Sequence, residues 1–124
     1  MIAVLIVGHG SRLRGFQTAM KKVAAALRRR RLYDRVECAY LEAASPSIDE
    51  AIDACLRQGA KEIRVLPYFL LTGNHTQHDI PAIVKKAAKK HRRHARVLLC
   101  PYLGFDEKIV SLVARRVRQA RPAR

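Results

Sequence analysis

"AVLIVGHGSR", residues 3–12, decides the fold. It belongs to an unbroken apolar run over residues 2–7 that ends at Gly8. The run is far shorter than the roughly 20 residues that cross a bilayer. A short continuous apolar run closed by glycine reads as a strand buried on both faces. Such strands occur where helices cover both sides of a parallel sheet. The loop that follows places His9 between Gly8 and Gly10. A buried histidine needs no glycines around it, whereas one that a large flat ligand must approach gains from stripped backbone.

Outward from this strand the pattern alternates. Phe16, Met20, Val23, Ala24 and Leu27 recur at helical spacing. Residues 36–41 read as a second strand. "SPSIDE" (residues 45–50) then opens a helix, with Ser45 or Ser47 as N-cap, proline in the first turn and acids near the start. Its apolar stripe is Ile48, Ala51, Ile52, Cys55 and Leu56, and Gly59 stops it. Residues 62–67 form a third strand. Asp79 is expected to cap a third helix with the stripe Ile80, Ile83, Val84, Ala87 and Ala88. Residues 96–100 form a fourth strand, and Ile109, Leu112, Val113 and Val117 mark a last helix.

Four strands alternating with four helices predict an α/β fold: a doubly wound four-stranded parallel sheet with helices on both faces. The expected strand order is 2-1-3-4, as in flavodoxin-like folds. The 124 residues fit a single domain, 1–124. In such sheets ligands bind at the carboxyl ends of the strands, where the winding direction switches, here between strands 1 and 3.

Composition narrows the function. Lys and Arg number 25 against 10 Asp and Glu, a formal charge of +15. A field of that sign draws polyanions, either nucleic acid or a small molecule with many carboxylates; the plain alternative is a basic solvated surface. No recognised nucleic-acid module is present, so nucleic acid is not an expected partner. The apolar start lacks a basic n-region and a cleavage site, so a cytoplasmic protein without membrane association is expected. Cys38, Cys55 and Cys100 are odd in number and widely spaced, which suits core packing better than disulfides or zinc.

The topology carries three loops toward one crevice. "GHGSR" (residues 8–12) follows strand 1 and brings His9. "FLLTGNHTQHD" (residues 69–79) follows strand 3 and brings His75 and His78. "YLEAASP" (residues 40–46) follows strand 2 and brings Glu42. Neutral imidazole ligates cobalt, nickel, iron or zinc, and carboxylate adds a harder oxygen. Imidazole also exchanges protons near neutral pH. Three groups are too few for a closed structural metal site, so an open site, or one completed by substrate or a second subunit, fits better. Each residue also has a plain structural reading. His9 would be a loop histidine bonded to backbone, His75 and His78 turn residues on the surface, and Glu42 the end of its strand. Ser11 and Arg12 either cap the first helix or hold a carboxylate ligand.

"LIVGHGSR", "AYLEAASPSIDEAI", "VLPYFLLTGNHTQHDIP" and "CPYLGFD" together resemble the short form of the sirohydrochlorin chelatases, the CbiX and SirB group of the class II tetrapyrrole chelatases. The resemblance runs from Ile2 to about Val113. Its last motif departs from the family's usual "PLG" by an inserted tyrosine, Tyr102. Longer relatives carry two such halves in one chain, so the resemblance implies a homodimer that rebuilds a two-lobed cleft. It implies insertion of a divalent metal, cobalt first with nickel or iron as alternatives, into sirohydrochlorin during tetrapyrrole biosynthesis. The metal would be a substrate, with no permanently bound cofactor. His9 and His75 would be the catalytic histidines and, with Glu42, the metal ligands; His78 falls where the family requires no histidine. Gly10, Ser11, Arg12, Phe69, Leu70 and Asn74 would hold the macrocycle. A non-catalytic carrier of metal or tetrapyrrole would use the same residues. A histidine phosphatase would want arginine directly before the histidine, where Gly8 stands.

Overall fold

The computed structural model describes residues 1–123; Arg124, the last residue of the expected domain, lies outside them. The elements alternate as expected: β1 (Ile2–Gly8), α1 (Thr18–Arg29), β2 (Arg35–Tyr40), α2 (Ile48–Arg57), β3 (Glu62–Pro67), α3 (Ile80–His91), β4 (Arg96–Leu99) and α4 (Glu107–Arg118). A π-helical turn, His75–Asp79, leads into α3. The sheet is wholly parallel, in the order β2-β1-β3-β4.

Side chains alternate across the sheet, and both sets on β1 are buried. Ala3, Leu5 and Val7 face α2 and α3, where they meet Ile48, Ile52, Ile80 and Val84. Val4 and Ile6 face α1 and meet Met20 and Ala24. This double burial is why β1 carries no polar residue. Ser47 is the N-cap of α2: its hydroxyl accepts the Glu50 N–H, and Glu50 returns a carboxylate oxygen to the Ser47 N–H at 2.8 Å. Cys55 is buried against the sheet, and burial pushes its thiol up; it is core packing, as expected. All three cysteines are free.

Two expectations about the helices change. The first helix begins at Thr18 without a side-chain cap, so neither Ser11 nor Arg12 caps it and Phe16 precedes it. Ser11 instead accepts the N–H of Leu13 at 3.0 Å within the loop. The fourth helix forms but does not cover the sheet. Doubly wound topology reserves the α1 side of β3 and β4 for it, yet none of its residues is buried. Val113 and Val117 stand 54% and 67% exposed. On that side Arg64, Leu66 and Leu98 of the sheet are only partly covered. No helix among the described residues is long and apolar enough to cross a membrane.

Candidate metal-binding site at the switch point

The carboxyl ends of β1, β2 and β3 lie side by side, and each releases its loop at the same edge. Backbone bonds continue the β1–β2 pairing past the strand ends. The Leu41 N–H donates to the Gly8 carbonyl and the Glu42 N–H to the His9 carbonyl, both at 3.0 Å. This ladder sets Glu42 beside His9. The His9 Nε2 and Glu42 Oε1 atoms are 2.7 Å apart.

Gly10 makes that approach possible. Its φ is +100°, and a Cβ there would stand 1.7 Å from the Glu42 carbonyl oxygen. A Cβ at Gly8 would crowd the flexible end of Met20, at 2.7 Å from Sδ, and touch the Tyr40 ring at 3.7 Å. The glycines around His9 are therefore occupied by the protein itself: Gly10 by the Glu42 backbone and Gly8 by α1.

His75 arrives from the β3 loop. Its ring centroid lies 4.6 Å from that of His9, with planes tilted by 54°. Phe69 lies behind it, ring centroids 6.1 Å apart. Leu70, 54% exposed, forms an apolar lip on the same loop. Asn74 is the residue before the π-helical turn and is exposed, as is Arg12 on the β1 loop; Ser11 is half-buried. His78 is exposed, and its side chain makes no hydrogen bond or ion pair among the described residues.

Asp79 departs from expectation. It caps nothing. Its Oδ2 atom lies 2.8 Å from His75 Nδ1. The signal in the sequence was the four-residue spacing of His75 and Asp79, which places the two side chains over one another on a helical turn. Reading Asp79 as the start of α3 hid it, because the helical path already begins at His75.

Each histidine thus leans on one carboxylate, and through a different nitrogen. His75 Nδ1 is hydrogen-bonded to Asp79, and a carboxylate accepts, so Nδ1 of His75 carries the hydrogen. A neutral His75 ring then presents its lone pair at Nε2. The side chains of His9, Glu42 and His75 are 46%, 64% and 40% exposed, so they line an open edge. No three His, Cys, Asp or Glu side chains among the described residues form a ready metal cage. The structure brings His9, His75 and Glu42 together without closing them around an ion.

The CbiX family model matches residues 3–120. The chain belongs to the CbiX family. It is 37% identical over 121 residues to the sirohydrochlorin ferrochelatase of Priestia megaterium, covering 96% of this chain and 44% of that one. It is 32% identical over 120 residues to the sirohydrochlorin cobaltochelatase of Sulfolobus acidocaldarius, covering 97% and 93%. Among solved structures, the sirohydrochlorin chelatase SirB from Bacillus subtilis subspecies spizizenii, in complex with cobalt, superposes with a TM-score of 0.85 at 33% identity, over 95% of this chain and 50% of that one. This CbiX-family chain therefore spans about half the length of the first curated relatives it matches, and nearly the whole of shorter ones.

Proposed function

We propose that this chain, acting as one chelatase-like domain over residues 1–124, inserts a divalent metal into sirohydrochlorin, with cobalt the first candidate and nickel and iron the alternatives. The observation that carries the reading is the pairing of His9 and His75, rings 4.6 Å apart, from two loops at the sheet's switch point. Family membership supplies the substrate class.

The chemistry follows from the residues. The metal is a substrate, held by His9, His75 and Glu42 before transfer. Insertion releases two pyrrole N–H protons as the four ring nitrogens take the ion. Imidazoles vacated by the metal accept those protons and pass them to water. His9 Nε2 and Glu42 Oε1 lie 2.7 Å apart, and a metal held by both competes with protons for these atoms. Lowering the pH weakens metal binding for that reason. Ser11, Arg12, Asn74 and the Gly10 amide meet the carboxylate rim, and Phe69 and Leu70 meet the ring. The charge of +15 favours encounter with an octacarboxylate.

Anaerobic incubation with sirohydrochlorin and cobalt, nickel or iron in turn tests the reading. The absorption change of insertion is expected to run faster than without protein for at least one metal. A protein that binds both partners and accelerates nothing is a carrier.

A second copy of the chain completes the cleft in this proposal. Three observations support it: the open site, the half-length match to longer relatives, and the valine stripe of α4 left in water. Light scattering at micromolar concentration is expected to report a dimer, and Val113→Glu, at an exposed position, a monomer. A parent protein that inserts metal as a strict monomer overturns the dimeric cleft.

A further inference from the structure

We propose that Asp79 is a positioning residue for His75: its carboxylate selects the ring nitrogen that His75 offers to the metal. The inference rests on the metal-site reading above and adds to it a group outside the ligand set.

Asp79 Oδ2 lies 2.8 Å from His75 Nδ1. The carboxylate accepts only, so Nδ1 carries the hydrogen and Nε2 keeps the lone pair. In water a neutral imidazole side chain favours the opposite form, with the hydrogen on Nε2. Asp79 therefore holds His75 in the tautomer it would adopt less often alone. At His9 the neighbouring carboxylate, Glu42, belongs to the ligand set itself, its Oε1 2.7 Å from Nε2.

The backbone explains why Asp79 is suited to this. The Ile80 N–H reaches back five residues to the His75 carbonyl, which widens the turn into a π-helix. Such turns gather at functional sites. Ile80 is fully buried, and Pro81 follows it in the first turn of α3, so Asp79 stands at the fixed start of α3 while His75 stands at the end of a loop. The carboxylate makes no capping bond and is 49% exposed. Exposed pairs of this kind contribute little to stability. Its effect falls on the orientation and tautomer of His75. Partners of this kind behind metal-ligating histidines are typically worth about 10–100-fold in metal affinity.

The experiment uses the full chain labelled with ¹⁵N, at mildly alkaline pH where imidazoles are neutral. Two-bond ¹H–¹⁵N spectra read the tautomer of His75, and titration with cobalt(II) alone reads affinity. The parent protein is expected to carry the His75 hydrogen on Nδ1. Asp79→Ala is expected to move it to Nε2 and to weaken cobalt binding by about 10–100-fold, with the unfolding midpoint nearly unchanged. Asp79→Asn keeps an acceptor oxygen and is expected to restore the Nδ1–H form and most of the affinity. A Nδ1–H tautomer that survives in Asp79→Ala overturns the proposal. So does full cobalt affinity in Asp79→Ala when His75→Ala has lost it. If His75→Ala leaves cobalt affinity untouched, the metal-site reading fails, and the spectra still decide whether Asp79 sets the ring.

Discussion

His75→Ala and His9→Ala are each expected to lower metal insertion by about 10²–10⁴, while sirohydrochlorin binding stays close to that of the parent protein. The split follows from where the two histidines stand. Their rings face one another across the switch point, 4.6 Å apart, and neither is buried. Truncating either leaves no cavity in the core, so the fold and the rim contacts of the β1 and β3 loops persist. In the proposed function, what is lost is a metal ligand and an acceptor for a pyrrole proton. Steady-state insertion measured beside fluorescence-monitored tetrapyrrole binding separates the two effects. His78→Ala is the internal control: it belongs to the same "HTQH" segment, has no partner among the described residues, and is expected to match the parent. Loss of activity in His78→Ala with retention in His75→Ala would transfer the role to His78. Retention in both would remove the β3 loop from the chemistry.

The second large effect is expected at a residue with no side chain. Gly10→Ala places a Cβ 1.7 Å from the Glu42 carbonyl oxygen, at a φ of +100° that L side chains rarely adopt. The obstruction is backbone, so no rotamer change relieves it; the β1 and β2 loops must separate. Strain and overpacking together are expected to cost roughly 2–4 kcal/mol of stability. Separation also breaks the bond from the Glu42 N–H to the His9 carbonyl and moves Glu42 away from His9. Gly10→Ala is therefore expected to lose metal affinity as well as stability. Gly8→Ala is the informative comparison, since its Cβ crowds only side-chain atoms, chiefly the flexible end of Met20, and φ there is unremarkable. It is expected to cost less and to spare the His9–Glu42 contact. Chemical denaturation and cobalt titration of both variants check this. Equal losses at the two glycines would show that His9 and Glu42 do not depend on the close approach of their loops.

Most of the architecture was legible in the chain because it depends on local pattern. Apolar runs at residues 2–7 and 62–67, helical stripes such as Ile48, Ile52 and Cys55, and the capping chemistry of Ser47 each act over a few residues. The alternation of these elements allows few parallel topologies, and the order 2-1-3-4 is one of them. That order alone carries His9, His75 and Glu42 to one edge of the sheet. The duties of individual atoms were not legible, because they depend on distances between segments far apart in the chain. Gly10 faces a residue 32 positions away, and only the paired strand ends reveal that its missing Cβ makes room for Glu42. Asp79 has the composition of a helix cap; a π-helical turn starting four residues earlier leaves its carboxylate for His75 instead. The valine stripe of α4 is amphipathic in sequence whether it packs on its own sheet or on something else. Its exposure was decided in three dimensions, where burial requires a complementary surface within reach, and amphipathic spacing alone specifies a helix without specifying its partner.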